Sequence, residues 1–351
     1  MHPTLSHLLP CLAALALPLA AQTTVNVPCA ADNTLYDSAT GALSNGAGIG
    51  MFVGLTGTGG IRRAVVRFNV AATVPANAKV LSATISLNVA QSTVALPMTI
   101  TGHRLLTAWG EGTSVAPGNG GGGGASTAND ATWIHGFWPA LNWTTPGGDF
   151  NSTPSMLLSM PPFGPFSSLP SADATADVQN WLNNPATNFG WLLKSDELLA
   201  STAHRLDTKE STGLKPTLVV TYLLPGQSGT YGTGCPVGTG TFQTAWVGTP
   251  TGGNTMAITK TNAPPLSIGA DFFALTLDPL GTPLLPGCTL YLPLALIIPG
   301  GAFLTDPAGS GGSSFVVPTG FPGYLIHTQT AVLEANPLGF SIGNAASICL
   351  Q

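Results

Sequence analysis

One stretch of alternating residues strongly limits what this chain can fold into. The segment Val80–Val89 alternates apolar and polar residues with a period of two. Its apolar positions are Leu81, Ala83, Ile85, Leu87 and Val89. This period is typical of a strand that buries one face in an antiparallel sheet. Similar alternation of apolar and polar residues recurs along the chain. The 44 Gly and 30 Pro residues favour many turns over long helices. The sequence therefore predicts an all-β protein.

Charge is scarce in this chain. Only 7% of the 351 residues are charged, with 10 basic and 15 acidic residues giving a net charge of −5. Such a chain has few acidic or basic side chains that could transfer protons, which favours a binding or structural module over an enzyme. No run of Lys or Arg is longer than Arg62-Arg63, so no basic stripe is available to neutralise a phosphate backbone. We therefore expect no nucleic-acid partner.

The N-terminus has the pattern of a signal peptide over residues 1–21. It lacks acidic residues, carries an apolar run from Leu8 to Leu19 and ends in small residues before Gln22. The run is too short to span a bilayer, so no membrane span is expected. The sequence predicts export, with the protein extracellular or in the cell envelope.

A change in composition divides the rest of the chain. The Pro/Gly/Ser-rich segment 225–230 is expected to link a first domain over 24–224 to a second over 231–351. The charged residues from position 226 onward are Lys260, Asp271, Asp278, Asp306 and Glu334. Short apolar segments between Gly- and Pro-bounded turns predict a smaller β-sandwich for the second domain.

Three local elements can be predicted in more detail. In the strand Arg63–Val70, the inward residues are expected to be Ala64, Val66, Phe68 and Val70. One helix is expected at Ala174–Asn183, with Asp173 as its N-cap and Val178, Trp181 and Leu182 as its buried stripe. The apolar segment Leu290–Ile298 is expected to be a buried strand.

Four cysteines remain after the signal segment, namely Cys29, Cys235, Cys288 and Cys349. An even number in an exported chain suggests two disulfides, for which three pairings exist. We favour Cys235–Cys288, with Cys29 and Cys349 either joined to each other or free. None forms a C-x-x-C pair, which argues against a zinc or redox site.

Four blocks in the first domain resemble the DNRLRE domain, a secreted module related to alginate-binding carbohydrate-binding modules. The blocks are Arg63-Ala-Val-Val-Arg67-Phe68-Asn69-Val70, Asp130–Trp133 with Asn142–Asp149, Asp177–Trp181 with Asn188–Trp191, and Lys209-Glu210-Ser211 with Lys215–Tyr222. Their order covers nearly all of residues 30–224. The resemblance implies a jelly-roll-like β-sandwich of the kind found beside catalytic domains or in cell-envelope proteins.

The second domain is similar to a C-terminal domain frequent in secreted proteins of planctomycete-like bacteria. The similarity lies in Tyr231–Pro236, in Leu285–Cys288 and in Gly323 before Gln329. It implies no particular activity.

A cluster of aromatic residues and several cations are the candidate ligand-binding groups. Trp133, Phe137, Trp138 and Trp143 lie within eleven residues. Trp138, in a predicted loop, is the candidate for stacking on a sugar ring. Trp133 is a further candidate, although the resemblance places Trp133 and Trp143 at framework positions of the core. Arg63 and Arg67 share one strand face and are candidates for binding uronic-acid carboxylates, with ordinary ion pairing as the alternative role.

Two other groups suggest chemistry. His103-Arg104 and His204-Arg205 repeat a dipeptide, and a catalytic role would pair a His with Glu111 or Asp207. A hydrogen-bonded structural His is the favoured interpretation. Asp32 and Asp37 are candidate calcium ligands, although Asp residues also make turns.

We therefore expect no catalytic residue and no cofactor other than calcium. The predicted function is a secreted non-catalytic module that binds an extracellular, acidic polysaccharide or acts in the envelope matrix. The alternatives are a polysaccharide lyase or disaggregating glycoside hydrolase, and a purely structural envelope protein.

Overall fold

A computed structural model describes residues 22–351 of the protein. The predicted signal segment over 1–21 lies outside the described residues. The described chain is all-β, with antiparallel sheets in both halves, as the sequence predicts. No helix within 22–351 is long and apolar enough to cross a bilayer.

The first half contains fourteen strands, two α-helices and a 3₁₀ turn at Pro185–Thr187. The strands are β1 (Thr23–Tyr36), β2 (Leu43–Ser44), β3 (Gly50–Leu55), β4 (Ile61–Phe68), β5 (Lys79–Gln91), β6 (Met98–Arg104), β7 (Gly124–Ala125), β8 (His135–Phe137), β9 (Leu141–Asn142), β10 (Met156–Met160), β11 (Gly164–Ser167), β12 (Trp191–Lys194), β13 (His204–Asp207) and β14 (Thr217–Leu223). The helices are α1 (Val70–Thr73) and α2 (Ala172–Asn183).

These strands form a sandwich whose two layers are joined along both edges. One layer contains β14, β5, β13 and β11, and the other contains β4, β12, β6 and β10. The long strand β1 pairs first with β14 and then, after a bulge, with β4. At the opposite edge, β3 pairs with both β13 and β4. The layers therefore meet at two corners, and the corner at β3 is important for the candidate site.

The alternating strand behaves as predicted. In β5 the apolar residues Ala83, Ile85, Leu87 and Val89 enter the core between the layers. The inward residues predicted for β4 face the same core, namely Ala64, Val66 and Phe68, together with Val70 just beyond the strand. Period-two alternation thus places one face of each strand inward.

Helix α2 closes one end of this core with the predicted stripe of Val178, Trp181 and Leu182. It begins two residues earlier than predicted, and its N-cap is Ser171 rather than Asp173. The hydroxyl of Ser171 accepts hydrogen bonds from the amides of Asp173 and Ala174. Asp173 instead lies in the first turn, where a carboxylate favours the positive end of the helix dipole.

The second half contains thirteen strands. They are β15 (Ser228–Tyr231), β16 (Pro236–Val237), β17 (Gly240–Thr241), β18 (Gln243–Val247), β19 (Thr255–Thr261), β20 (Ile268–Ala274), β21 (Thr282–Leu285), β22 (Cys288–Leu290), β23 (Ile298–Leu304), β24 (Gly311–Val316), β25 (Leu325–Leu333), β26 (Phe340–Ile342) and β27 (Ala345–Cys349). The sheet β15-β27-β25-β20-β23, which β26 joins through β25, packs against the sheet β18-β19-β24. Strand β15 begins within the predicted linker.

The predicted strand over Leu290–Ile298 is wrong. Strand β22 ends at Leu290, a 3₁₀ turn covers Leu294–Leu296, and β23 begins at Ile298. Pro293 precedes the 3₁₀ turn, and Pro cannot donate a hydrogen bond to a sheet ladder. The side chains of Leu294 and Ile298 are more than half exposed.

The cysteines follow one of the predicted arrangements. Cys235 and Cys288 form the expected disulfide. Cys29, in β1, and Cys349, in β27, are both free. Cys349 packs with Leu81, Leu223 and Leu325 where the two halves meet.

Candidate functional site

The face of β4 that carries Arg63 and Arg67 is covered by a second apolar layer. The long segment between β6 and β10 folds back over β4 and β12 and buries Trp109 and Trp143 against Val65 and Leu192. Each of these two Trp rings donates its Nε1–H to a backbone carbonyl. We call the segment 105–155 the aromatic layer. Because it lies on the sheet, Arg63 and Arg67 lie between the sheet and this layer.

Arg63 has partners for its whole guanidinium group within the protein. Its Nε and Nη2 donate to the two carboxylate oxygens of Glu197 at 2.7 and 2.9 Å, and Nη1 donates to the Gly147 carbonyl. The group also lies 4.8 Å from the ring centre of Trp133. A bidentate pair of this kind is the ordinary ion pairing that the sequence left open.

Arg67 differs from Arg63. Its guanidinium lies 5.6 Å from the ring centre of Trp109 and forms no ion pair with a carboxylate in the described chain. Its side chain is half-buried. Arg67 is thus a cation without a charged partner, held against the aromatic layer.

The tryptophans of the aromatic layer divide into buried and partly exposed rings. Trp143 is buried, whereas Trp133 and Trp138 are half-buried. Trp138 packs edge-on against His135, with ring centres 4.7 Å apart, and precedes Pro139 in a cis peptide bond. The ring of Trp138, which the sequence proposed for stacking on a sugar, has part of its surface exposed. Its role in binding stays a prediction.

The two His-Arg dipeptides have structural partners. His103 bonds the Asn151 carbonyl through Nδ1 and the Thr101 hydroxyl through Nε2. His204 is fully buried and bonds the Thr202 carbonyl through Nδ1. Burial lowers the pKa of both imidazoles. Neither histidine forms a hydrogen bond with Glu111 or Asp207. Glu111 instead pairs with Lys209, and Asp207 accepts hydrogen bonds from Asn88 and Ser211.

The corner at β3 brings two further arginines together. Strand pairing places Arg205 of β13 opposite Phe52 of β3 on one side and Gln91 of β5 on the other. Arg62 of β4 reaches the same corner, where its guanidinium lies 4.9 Å from the ring centre of Tyr36. The side chains of Arg62, Arg205, Phe52 and Gln91 line a cleft of about 190 Å³, which we call the arginine cleft. Its remaining lining residues are Thr56, Ser92, Thr93, Asn119, Gly121 and Ala203.

A glycine-rich loop forms one wall of the arginine cleft. The hydroxyl of Tyr36 donates to the Gly120 carbonyl, and Nε of Arg62 donates to the Gly121 carbonyl. Gly120 has a φ of +82°, and a Cβ atom there would lie 3.3 Å from the ring of Phe52. Only a residue without a side chain fits this close approach comfortably. Gly121 of the run Gly120–Gly124 thus lines the arginine cleft.

The charges in the arginine cleft lack a counter-ion. Within residues 22–351, neither Arg62 nor Arg205 forms an ion pair with a carboxylate. Burial lowers the pKa of the Arg62 guanidinium, an effect that Tyr36 and Asp37 partly offset. Nε of Arg205 is buried without a hydrogen-bond partner in the same part of the chain. Nη1 of Arg62 donates to the Ile61 carbonyl and Nη2 of Arg205 to the Ile49 carbonyl, so one terminal nitrogen of each guanidinium has no partner among the described residues. A carboxylate matches these remaining donors in charge.

The arginine cleft was missed by the sequence interpretation, which named Arg205 only as part of a His-Arg dipeptide and gave Arg62 no role. The relevant signal is non-local, because β3, β4 and β13 meet only in the folded corner. The alternation of β13 does place Arg205 on the face opposite buried His204 and Leu206. Sequence therefore indicates the orientation of Arg205 but not its neighbours.

The two candidate calcium ligands are separated in the fold. Asp37 is exposed, and its backbone amide bonds the Ile61 carbonyl. Asp32 is completely buried and lies beside Glu111 and Glu210, with one carboxylate oxygen from each residue within 4.8 Å of the others. Asp32 thus belongs to a carboxylate cluster that does not include Asp37.

The second half contains a larger cavity of different character. It has a volume of about 500 Å³ and lies between the sheet β20-β25 and the segment that follows β21. Its lining is almost wholly apolar, with Phe272, Leu290 and Phe340 among the residues. The amide of Gln329 at its wall is already bonded to the backbone of Thr289, Tyr291 and Gly343. Such a lining offers few groups for the hydroxyls of a sugar.

Comparison with known proteins adds no assignment to this geometry. Neither a protein-family model nor a curated protein matches the sequence.

Proposed function

We propose that the protein is an extracellular, non-catalytic module that binds an acidic polysaccharide, with the arginine cleft holding a sugar carboxylate. One observation carries the proposal: Arg62 and Arg205 face a common concave site and neither has a carboxylate partner in the described residues. Unpaired, partly buried cations are costly, and an anionic ligand would offset that cost.

The other lining groups suit a sugar acid. Thr56, Ser92, Thr93, Asn119 and Gln91 supply hydroxyls and amides, which bond sugar hydroxyls in both directions. The cleft volume suits one sugar unit, so a polymer would place one acidic residue in it. The resemblance to DNRLRE domains implies the same class of ligand. Trp138 remains our second proposed contact, as a partly free ring in the aromatic layer.

A matched pair of polymers tests this proposal. The wild-type chain from residue 22 is titrated calorimetrically with a polyuronate and with the same polymer after its carboxyl groups have been reduced to alcohols. We expect binding to the polyuronate only, and affinity that falls as salt is raised from 50 to 500 mM because the contact is ionic. Equal binding of both polymers would contradict the role of the carboxylate.

The same samples discriminate the alternative functions. Size-exclusion analysis of the polymer after prolonged incubation detects chain cleavage, which a lyase or hydrolase would cause and a binding module would not. A purely structural envelope protein would bind neither polymer. Binding without a change in polymer length is the result that we expect.

A further inference from the structure

The carboxylate cluster around Asp32 contains more negative charge than its surroundings neutralise. Asp32, Glu111 and Glu210 together carry three negative charges at neutral pH if all are ionised. The cation that contacts the cluster is Lys209, whose Nζ lies 3.1 Å from Glu111 and also pairs with Glu210. With all three carboxylates ionised, one ammonium would leave two uncompensated negative charges in a partly buried site, and such charges are costly unless another cation is present.

The hydrogen bonds of the cluster are also incomplete. Asp32 Oδ2 accepts from the Lys209 amide at 2.8 Å, and Glu111 Oε1 accepts from the Asp32 amide at 2.8 Å. In contrast, Asp32 Oδ1 and Glu210 Oε2 are buried with no hydrogen-bond partner in residues 22–351. Since buried polar atoms in folded proteins nearly always have a partner, two orphaned oxygens on a completely buried Asp and its neighbour indicate a missing ligand.

The donor set identifies the class of that ligand. All three side chains offer hard carboxylate oxygens, which suit Ca²⁺ better than softer metals. With all three carboxylates ionised, the two uncompensated negative charges would match one divalent ion.

We infer that Asp32, Glu111 and Glu210 form a structural Ca²⁺ site. The ion would fasten the part of β1 that pairs with β4 to the loops after β6 and β13. This site is separate from the arginine cleft, and the inference does not depend on the proposed polysaccharide ligand. In this arrangement Ca²⁺ bridges three segments far apart in sequence, and Lys209 remains at the rim as a second, weaker counter-charge. Waters complete the coordination shell.

The direct test is thermal unfolding of the wild-type chain in EGTA and in 5 mM CaCl₂. Extracellular calcium modules bind with dissociation constants of about 10⁻⁴–10⁻³ M, so this concentration favours the bound, folded state. We expect the melting temperature to rise by about 3–8 °C with Ca²⁺. Native mass spectrometry is expected to show one ion per chain.

Three variants distinguish a metal site from an ion-pair network. Glu210→Gln, whose side chain is partly exposed, is expected to fold and to lose most of the Ca²⁺-dependent rise. Asp37→Asn removes an exposed carboxylate outside the cluster and is expected to keep the full rise. Lys209→Met is expected to melt lower than wild type in EGTA and to regain most of that loss in CaCl₂, because the ion replaces the missing ammonium.

The opposite set of results overturns the inference. A wild-type melting temperature that is the same in EGTA and in 5 mM CaCl₂ would show that Lys209 alone closes the cluster. An equal Ca²⁺-dependent rise in wild type and Glu210→Gln would place the ion elsewhere on the molecule.

Discussion

The nearly uncharged second half contains one ion pair in its core, and that pair allows a quantitative prediction. Lys260 of β19 and Asp271 of β20 are 0% and 1% exposed, with Nζ and Oδ2 2.9 Å apart. Nζ also donates to the Ile258 carbonyl and the Ser313 hydroxyl, and Thr330 donates to Asp271 Oδ1. The network therefore compensates both charges where no water reaches them.

Asp271→Asn keeps the shape of the side chain but leaves the ammonium of Lys260 without its counter-charge. Breaking one member of a buried pair costs about 3–5 kcal/mol of unfolding free energy. For a domain of this size, that cost lowers the melting temperature by roughly 10–20 °C. The double variant Lys260→Met/Asp271→Asn removes both charges, so we expect it to lose less stability than the sum of the two single variants.

Differential scanning calorimetry measures these changes, and hydrogen exchange in β19 and β20 assigns them to the second half. Asp278→Asn is the matched control, because Asp278 lies outside this network and Asn retains the side-chain oxygen that accepts the Leu280 amide. We expect the control to change the melting temperature by no more than about 2 °C. A loss below about 1 kcal/mol for Asp271→Asn, or strictly additive single and double variants, would refute the reasoning.

Three further predictions concern pH, the disulfide and the aromatic layer. Burial lowers the pKa of His327 to about 4, so the folded state resists protonation of this imidazole. The stability that neutral His327 contributes is fully present above pH 6.5 and is lost as the pH falls toward 4, by about 3 kcal/mol. His327→Gln should therefore flatten this part of a profile of melting temperature against pH. The Cys235–Cys288 disulfide joins residues 53 positions apart, so the free energy of unfolding in urea should fall by about 4 kcal/mol in the Cys235→Ser/Cys288→Ser variant. Cys349→Ser removes a buried sulfur without breaking a disulfide and serves as the control. Trp138→Ala should weaken polyuronate binding by up to about tenfold in calorimetry, and unchanged affinity would confine the ligand to the arginine cleft.

The sequence predicted the fold where the information is local. Alternation along β4 and β5 correctly predicted which residues face the core, because a strand of period two has one buried face whatever its partners are. The stripe of α2 was predicted for the same reason at helical spacing. The N-cap was wrong because Ser171 and Asp173 are both good caps, and their hydrogen bonds decide between them.

The candidate site could not be predicted in the same way. Whether an arginine is paired depends on contacts between residues far apart in sequence. Arg63 meets Glu197 across the fold, whereas Arg62 and Arg205 meet at a corner made by three strands. The outward face of β4 was predicted, but the aromatic layer that covers it lies in a long loop without periodicity. Alternation gives the direction of a side chain and not what covers it.

The central claim is that Arg205 binds a carboxylate of the ligand. Calorimetric titration of polyuronate into Arg205→Gln and Arg67→Gln compares two variants that lose the same charge, one in the arginine cleft and the other beside Trp109. Hydrogen bonds to a charged group contribute about 1.5–3 kcal/mol, so we expect the dissociation constant of Arg205→Gln to rise about ten- to hundredfold. The constant of Arg67→Gln should change less than about threefold. Equal losses in both variants, or no loss in Arg205→Gln, would contradict the account.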